Sequence, residues 1–256
     1  DNQWKYRLQL DYEYLHKNFH YLESFRNVAF ARDYNLSEEQ NGGVGEQLLK
    51  FTTGVAHPQK GSTLYSLNWL THFSQLQAFR NEINSSHRFG TWTWNSHSSY
   101  LFSYDNIQKT NYLHTKNDIN KSWNRVVLGF KEELDYNLFK KADSDSLRAN
   151  SYAFNEASIY LKNGDSTKVN YLFAVKNRVD NHLYHNILST NTITNEAQFS
   201  VEITHWKHHR LTAMATYRND NVRDSMRQFR PEHNFIGSVD YSANFLKGAI
   251  ALNVYY

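Results

Sequence analysis

Along residues 3–15, "QWKYRLQLDYEYL", every second position is aromatic or leucine: Trp4, Tyr6, Leu8, Leu10, Tyr12 and Tyr14. Between them stand Lys5, Arg7, Gln9, Asp11 and Glu13. Successive side chains of a strand point to opposite faces, so this stretch predicts a strand with one apolar and one charged face. The same period of two recurs to the far end of the chain, and helical periodicity is nearly absent. "SFRNVAFARDYNL" (24–36) and "QLLKFTTGVAH" (47–57) read as strands, with a loop over 37–46 between them. "TLYSLNWLTHFSQLQAF" (63–79) sets Tyr65, Leu67, Trp69, Thr71 and Phe73 on one face. An aromatic, Ser- and Thr-rich strand is expected over 89–104. Another, over 122–139, groups Val126, Leu128 and Phe130 before Glu132 interrupts them.

The second half repeats the pattern. "SYAFNEASIYLKN" (151–163) meets "TKVNYLFAVKNRV" (167–179) across Gly164-Asp165-Ser166, and the latter strand puts Val169, Tyr171 and Phe173 on one side. Gly and Asp there supply the turn conformations a hairpin needs. Strands over 197–206 and 210–218 pair across Lys207-His208-His209, and 232–245 turns at Leu246-Lys247-Gly248 into the last strand. About ten to twelve strands follow from this reading, and antiparallel neighbours in a meander are the natural topology. The expected fold is all-β: an up-and-down meander of long strands in one domain, residues 1–256, forming an outer-membrane β-barrel or part of one. Because "GAIALNVYY" stops inside an alternating run and no initiator Met begins the chain, we expect an excerpt of a larger protein.

Composition narrows the partners. Tyr (18) and Phe (16) dominate the apolar share, and the mean hydropathy is −0.74. No window approaches the roughly eighteen apolar residues of a transmembrane helix. A spanning strand needs only about 9–11 alternating residues, so this leaves a membrane open. Net charge is +3, which gives no electrostatic case for nucleic acid. There are no cysteines and two prolines, so disulfides and thiolate metal sites are excluded and long uninterrupted strands are expected.

Candidate chemistry is sparse. His205, His208 and His209 cluster in "HWKHH", and His182 and His185 in "HLYH", but both sit beside predicted turns and no HExxH occurs. "NGGVGE" (41–46) lacks the Gly-Lys-Ser/Thr of a phosphate loop. "KGST" (60–63) reads as a hairpin turn. The carboxylates of "FKEELDY" (Glu132, Glu133, Asp135) have nothing to fix a catalytic separation. Asp143 and Asp145 lack the later Gly and Glu of a calcium loop. No catalytic residue, cofactor or metal is assigned, and a non-enzymatic protein is expected.

At 24–36, at "SDSLRANSYAFNEASIYL" (144–161) and at "DYSANFLKGAIALNVYY" (240–256) the chain resembles the large Tyr-rich β-strand envelope proteins of Bacteroidota, which belong to the outer membrane and its assembly or export machinery. The resemblance implies an outer-membrane location and a structural or transport role. The lipid bilayer and other envelope proteins are then the expected partners. Lipid-facing candidates are Trp4, Tyr6, Leu8, Leu10, Tyr12, Tyr65, Leu67, Trp69, Val169, Tyr171 and Phe173. Glu132 and Glu156, on faces that otherwise read as apolar, speak against lipid there. The alternatives are a soluble extended sheet in the periplasm or on the cell surface, whose apolar side binds lipid, client or partner, and a carbohydrate-binding domain using Trp92 and Trp94.

Overall fold

The computed structural model describes residues 3–16, 45–72, 76–105, 108–143, 146–163, 168–184, 187–204, 209–224, 229–245 and 250–255. They form thirteen strands: β1 (Lys5–Tyr14), β2 (Glu46–His57), β3 (Gly61–His72), β4 (Leu76–Phe89), β5 (Trp92–Tyr104), β6 (Gln108–Trp123), β7 (Val126–Asp143), β8 (Ser146–Asn163), β9 (Val169–Tyr184), β10 (Ile187–Ile203), β11 (His209–Asp224), β12 (Phe229–Phe245) and β13 (Ile250–Tyr255). All thirteen belong to one sheet in chain order, each antiparallel to the next. The expected all-β meander is therefore the fold. Among the described residues β1 pairs with β2 alone and β13 with β12 alone. No helix in them is long and apolar enough to cross a membrane.

Tight turns set the pairing. Gly90 (φ 61°) and Asn124 (φ 46°) adopt the left-handed conformation between β4 and β5 and between β6 and β7, where two residues must reverse the chain. The "KGST" hairpin is present as read. The amides of Gln59 and Lys60 donate to Nδ1 of His57 (both 3.2 Å), and Gly61 has φ 110°. A Cβ on Gly61 would collide with the Ser86 carbonyl of β4.

The register is staggered in one sense. The row of directly opposed residues that starts at Leu10 runs through Leu67, Tyr100, Tyr136, Asn181 and Arg223 on alternate strands. Counted from the strand starts at Gly61, Trp92, Val126, Val169 and His209, those residues lie six, eight, ten, twelve and fourteen positions along. The sheet thus slips one residue per strand. With a rise of ~3.3 Å and a strand spacing of ~4.8 Å this tilts the strands by about 35°.

Several expectations need correction. Residues 63–79 are not one strand: β3 ends at His72 and β4 begins at Leu76, and Phe73 lies outside the described residues. β6 was missed altogether. Its two faces carry Lys109, Asn111, Thr115 and Asn117 on one side and Thr110, His114, Lys116 and Asp118 on the other, so it shows no alternation. β9 to β12 extend well past the stretches read from alternation, through polar runs such as "NTITNE" and "RNDNVRD". Pairing with long neighbours carries these segments where their own pattern does not. The strand read over 24–36 and the turns at 164–166, 207–208 and 246–248 lie outside the described residues.

Candidate functional site: an apolar belt backed by a charged ladder

Directly opposed residues in a sheet share a face, so the register sorts every side chain. One face carries Tyr6, Leu8, Leu10, Tyr12 and Tyr14 from β1. It continues through Leu49, Phe51 and Val55, then Tyr65, Leu67 and Trp69, then Phe79 and Ile83. Further along, Ile119, Phe130, Ile159, Val175, Ala197, Tyr217 and Phe235 form one unbroken apolar row across β6 to β12. All eleven lipid-facing candidates from the sequence lie on or flank this face. Val169, Tyr171 and Phe173 continue onto Ile203, Val201 and Phe199 of β10.

This apolar face is the exposed one. Tyr6 is 82% accessible, Leu8 76% and Phe235 74%. The opposite face holds most of the buried side chains, both charged (Glu46, 1%; Asp220, 7%) and apolar, the latter including the cluster of Leu70, Ala78 and Leu101. So many large apolar side chains left exposed on one face mark a surface that something covers. Aromatic rings with basic partners gather near the strand ends. Lys121 lies over Trp92 (5.1 Å) and Trp123 (4.6 Å) at one end of β6, and Lys109 over Phe102 (5.2 Å) at the other. Such cation–π pairs suit a boundary where an apolar ring meets water.

The polar face is a ladder of paired charges. One register row runs Lys116, Glu133, Glu156, Arg178, Thr194, Asp220 from β6 to β11. Glu133 and Glu156 stand directly opposite each other, a repulsive arrangement that cations relieve. Lys116 reaches Glu133 (3.0 Å), while Lys176 reaches both Glu156 (3.6 Å) and Glu196 (3.5 Å). Arg178 pairs with Asp180 (2.6 Å) and Arg218 with Asp220 (2.7 Å), whose carboxylate also accepts from the Thr194 hydroxyl (2.5 Å). Glu156 is therefore on the polar face, correcting its sequence placement. Tyr152, Phe154 and Tyr160 share that face, and the tyrosine hydroxyls donate to Asp180 (3.1 Å) and Asp118 (2.8 Å). Tyr160 crosses β7 to reach Asp118 on β6, and it does so over Gly129, where a Cβ would fall inside its ring. A glycine covered by a cross-strand aromatic pins the register of three strands at once.

Glu132 is confirmed on the apolar face, opposite Asn117 and Ala157. Its neighbour Glu133 joins the ladder. Of the histidines read as a cluster, His209 opens β11 with Nδ1 2.6 Å from the Tyr241 hydroxyl, His182 lies in β9, and His185, His205 and His208 fall outside the described residues. The group able to hold a metal is a different one: His114, Glu133 and Asp135, each offering a ligand atom within 4.8 Å of the others. Sequence reasoning missed it because its members belong to two strands. Those atoms are already engaged: Tyr112 (2.8 Å) and His114 (2.5 Å) both bond Oδ1 of Asp135, and Lys116 holds Glu133. Trp92 and Trp94 share the apolar face as their spacing predicts; Trp94 stacks on His87 (6.0 Å). Compared with protein-family models, curated proteins and solved structures, the chain matches none of them.

Proposed function

We propose that this chain is wall of an outer-membrane β-barrel, with a non-enzymatic structural or transport role in the bacterial envelope. The observation that carries the reading is the uneven accessibility: the large apolar side chains of one face are exposed, while most of the buried side chains lie on the face that bears the ion pairs. Lipid is the solvent that makes this arrangement favourable, since exposed apolar area costs about 25 cal/mol per Å² in water. Three features support it. The one-residue stagger gives the tilt of ~35° that closed barrels use. The apolar run of β1 from Tyr6 to Tyr14 covers ~26 Å along the strand and ~21 Å along the normal at that tilt, close to the ~25 Å of a barrel's apolar band. The charged ladder suits a water-filled or plugged interior, where mixed charges are solvated or paired.

The alternative is a soluble extended sheet whose apolar face binds lipid, client or partner. The polar row Asn177, Asn195, Asn219 and His233 on that face favours it. Fractionation separates the two. A barrel stays with membranes through an alkaline wash, needs detergent for extraction, and migrates faster on a gel before heating than after. A monodisperse soluble monomer obtained without detergent overturns the barrel.

A further inference from the structure

The two edges of the sheet differ in charge. One edge holds Trp4, just before β1, and the connections that follow β2, β4, β6, β8, β10 and β12. Over its described connecting residues and the three strand positions beside them, Lys or Arg stands at nine positions and an acid at one. That acid is Glu202, which Arg210 holds at 2.7 Å. The opposite edge, counted the same way, has five basic and five acidic positions. Tryptophan follows the cations. Trp4, Trp92, Trp94 and Trp123 stand at the basic edge, whereas Tyr14 and Tyr104 close β1 and β5 at the other.

Backbone hydrogen bonds tie the basic edge into a continuous rim. The Arg88 amide donates to the Lys60 carbonyl (3.0 Å), Ser122 to Thr91 (2.9 Å) and Thr204 to Lys168 (2.8 Å), each bond joining one connection to the hairpin after it. On the apolar face of this rim, Lys121 is directly opposite Trp92 and two positions from Trp123, its ammonium 5.1 and 4.6 Å from the two rings. Arg125 is exposed in the two-residue turn between Trp123 and Val126. Lys60, exposed in its own turn, repeats the arrangement 6.0 Å from the Trp4 ring. Next along the strands from Lys121, the same face continues with Ile119, Leu128 and Phe130, all exposed. Among the described strands the one acidic residue on that face is Glu132, six positions into β7.

Resting on the barrel reading, we infer that this rim binds the headgroups of anionic phospholipid, with Lys121, Arg125 and the indoles of Trp92 and Trp123 as its main seat. The occupant must bring negative charge to the cations and hydrocarbon to Ile119, Leu128 and Phe130 beside them. An amphiphile with an acidic head does both at once, while an acidic soluble protein leaves the exposed apolar side chains bare. Each Lys or Arg near an acidic membrane surface adds attraction, arginine forks onto phosphate oxygens, and indole N–H groups donate to them. Lys5, Arg7, Arg88, Lys162 and Arg210, on the polar face, add to the potential of the same edge.

The tryptophans themselves report the occupant. Purified protein is placed in phosphatidylcholine vesicles with a fixed minor share of brominated phosphatidylglycerol or of brominated phosphatidylcholine, whose bromines quench indole fluorescence on contact. At equal share the acidic lipid is expected to quench more, with an apparent preference on the order of fivefold. Lys121→Gln combined with Arg125→Gln keeps every tryptophan and is expected to lower that preference several-fold. Arg125→Gln alone, in its exposed turn, serves if the double variant loses the heat-dependent gel shift. Lys109→Gln combined with Arg223→Gln, at the opposite edge, leaves the preference unchanged, as does excess inorganic phosphate at matched ionic strength. Equal quenching by the two lipids overturns the inference and leaves the barrel standing. A preference unchanged by the Lys121 and Arg125 substitutions overturns it as well, and one lost to inorganic phosphate assigns the rim to a soluble anion instead. If neither lipid quenches, the tryptophans do not meet a bilayer, and the barrel reading itself fails together with the rim.

Discussion

The two faces of β7 differ by a single residue step and carry different chemistry. On one, Lys131, Glu133 and Asp135 meet Asp118, Lys116 and His114 of β6, and Gly129 lies beneath the Tyr160 ring. On the other, Val126, Leu128, Phe130, Leu134, Tyr136 and Leu138 face outward without a covering element among the described residues. Adjacent carboxylates show the consequence. Glu133 has a lysine at 3.0 Å, whereas Glu132 has an amide at 3.3 Å. The chemistry of a residue in this fold is set by its parity in the strand far more than by its neighbours in sequence. A one-residue slip would exchange the two environments along the whole strand, which explains the value of a register lock such as Tyr160 over Gly129.

The sharpest way to break the comparison is to place the same charge on each face. Phe130→Arg puts a guanidinium near the middle of the belt and is expected to cost ~2–4 kcal/mol if that face meets lipid. Thr212→Arg, on the polar face between Glu202 and Asp240, is expected to stay within about 1 kcal/mol. Urea unfolding of both variants in vesicles measures the pair, and equal losses would abolish the distinction between the faces. Next in size, Gly129→Val drives a branched side chain into the Tyr160 ring and should cost about 1–3 kcal/mol. Adding Tyr160→Ala to Gly129→Val should recover part of that loss, because the ring is the obstacle; no recovery would place the strain elsewhere. Tyr160→Phe removes the hydroxyl that bonds Asp118 while keeping the ring, with an expected loss of about 1 kcal/mol. The smallest effect belongs to Lys116→Ala. Its ammonium is largely exposed, so losing the Glu133 pair should change stability by less than about 1 kcal/mol. Because Glu133 lies opposite Glu156, that loss should grow when salt is lowered; a salt-independent result would remove Lys116 from the electrostatic account of the ladder.

Much of this was legible before the structure. The opening strand, the "KGST" hairpin and the apolar grouping of Val126, Leu128 and Phe130 all appear as read, since each has alternation or turn chemistry of its own. β6 did not, because Asn, Thr and Lys occupy both its faces and leave no period to detect. Glu156 was misplaced for a related reason. Tyr152, Phe154 and Tyr160 look apolar in a sequence, yet here two of them turn hydroxyls toward carboxylates on the polar side. Aromatic rings with a polar tip serve either face, so parity drawn through tyrosines is ambiguous where parity drawn through Leu, Val and Ile is not.

The alternation along the chain by itself determined that this protein is built of amphipathic strands, that consecutive strands pair, and that disulfide chemistry has no part in it. Those properties are local: they follow from side-chain period, turn residues and the absence of cysteine. Only the tertiary structure decided which face is buried, because burial depends on what the paired strands enclose and not on any one strand. It likewise brought Lys176 between Glu156 and Glu196, laid Tyr160 across Gly129 onto Asp118, and set Glu132 beside the Asn117 amide on the apolar face. These relations join residues up to forty-two positions apart. They exist only once register and stagger are set for the whole sheet.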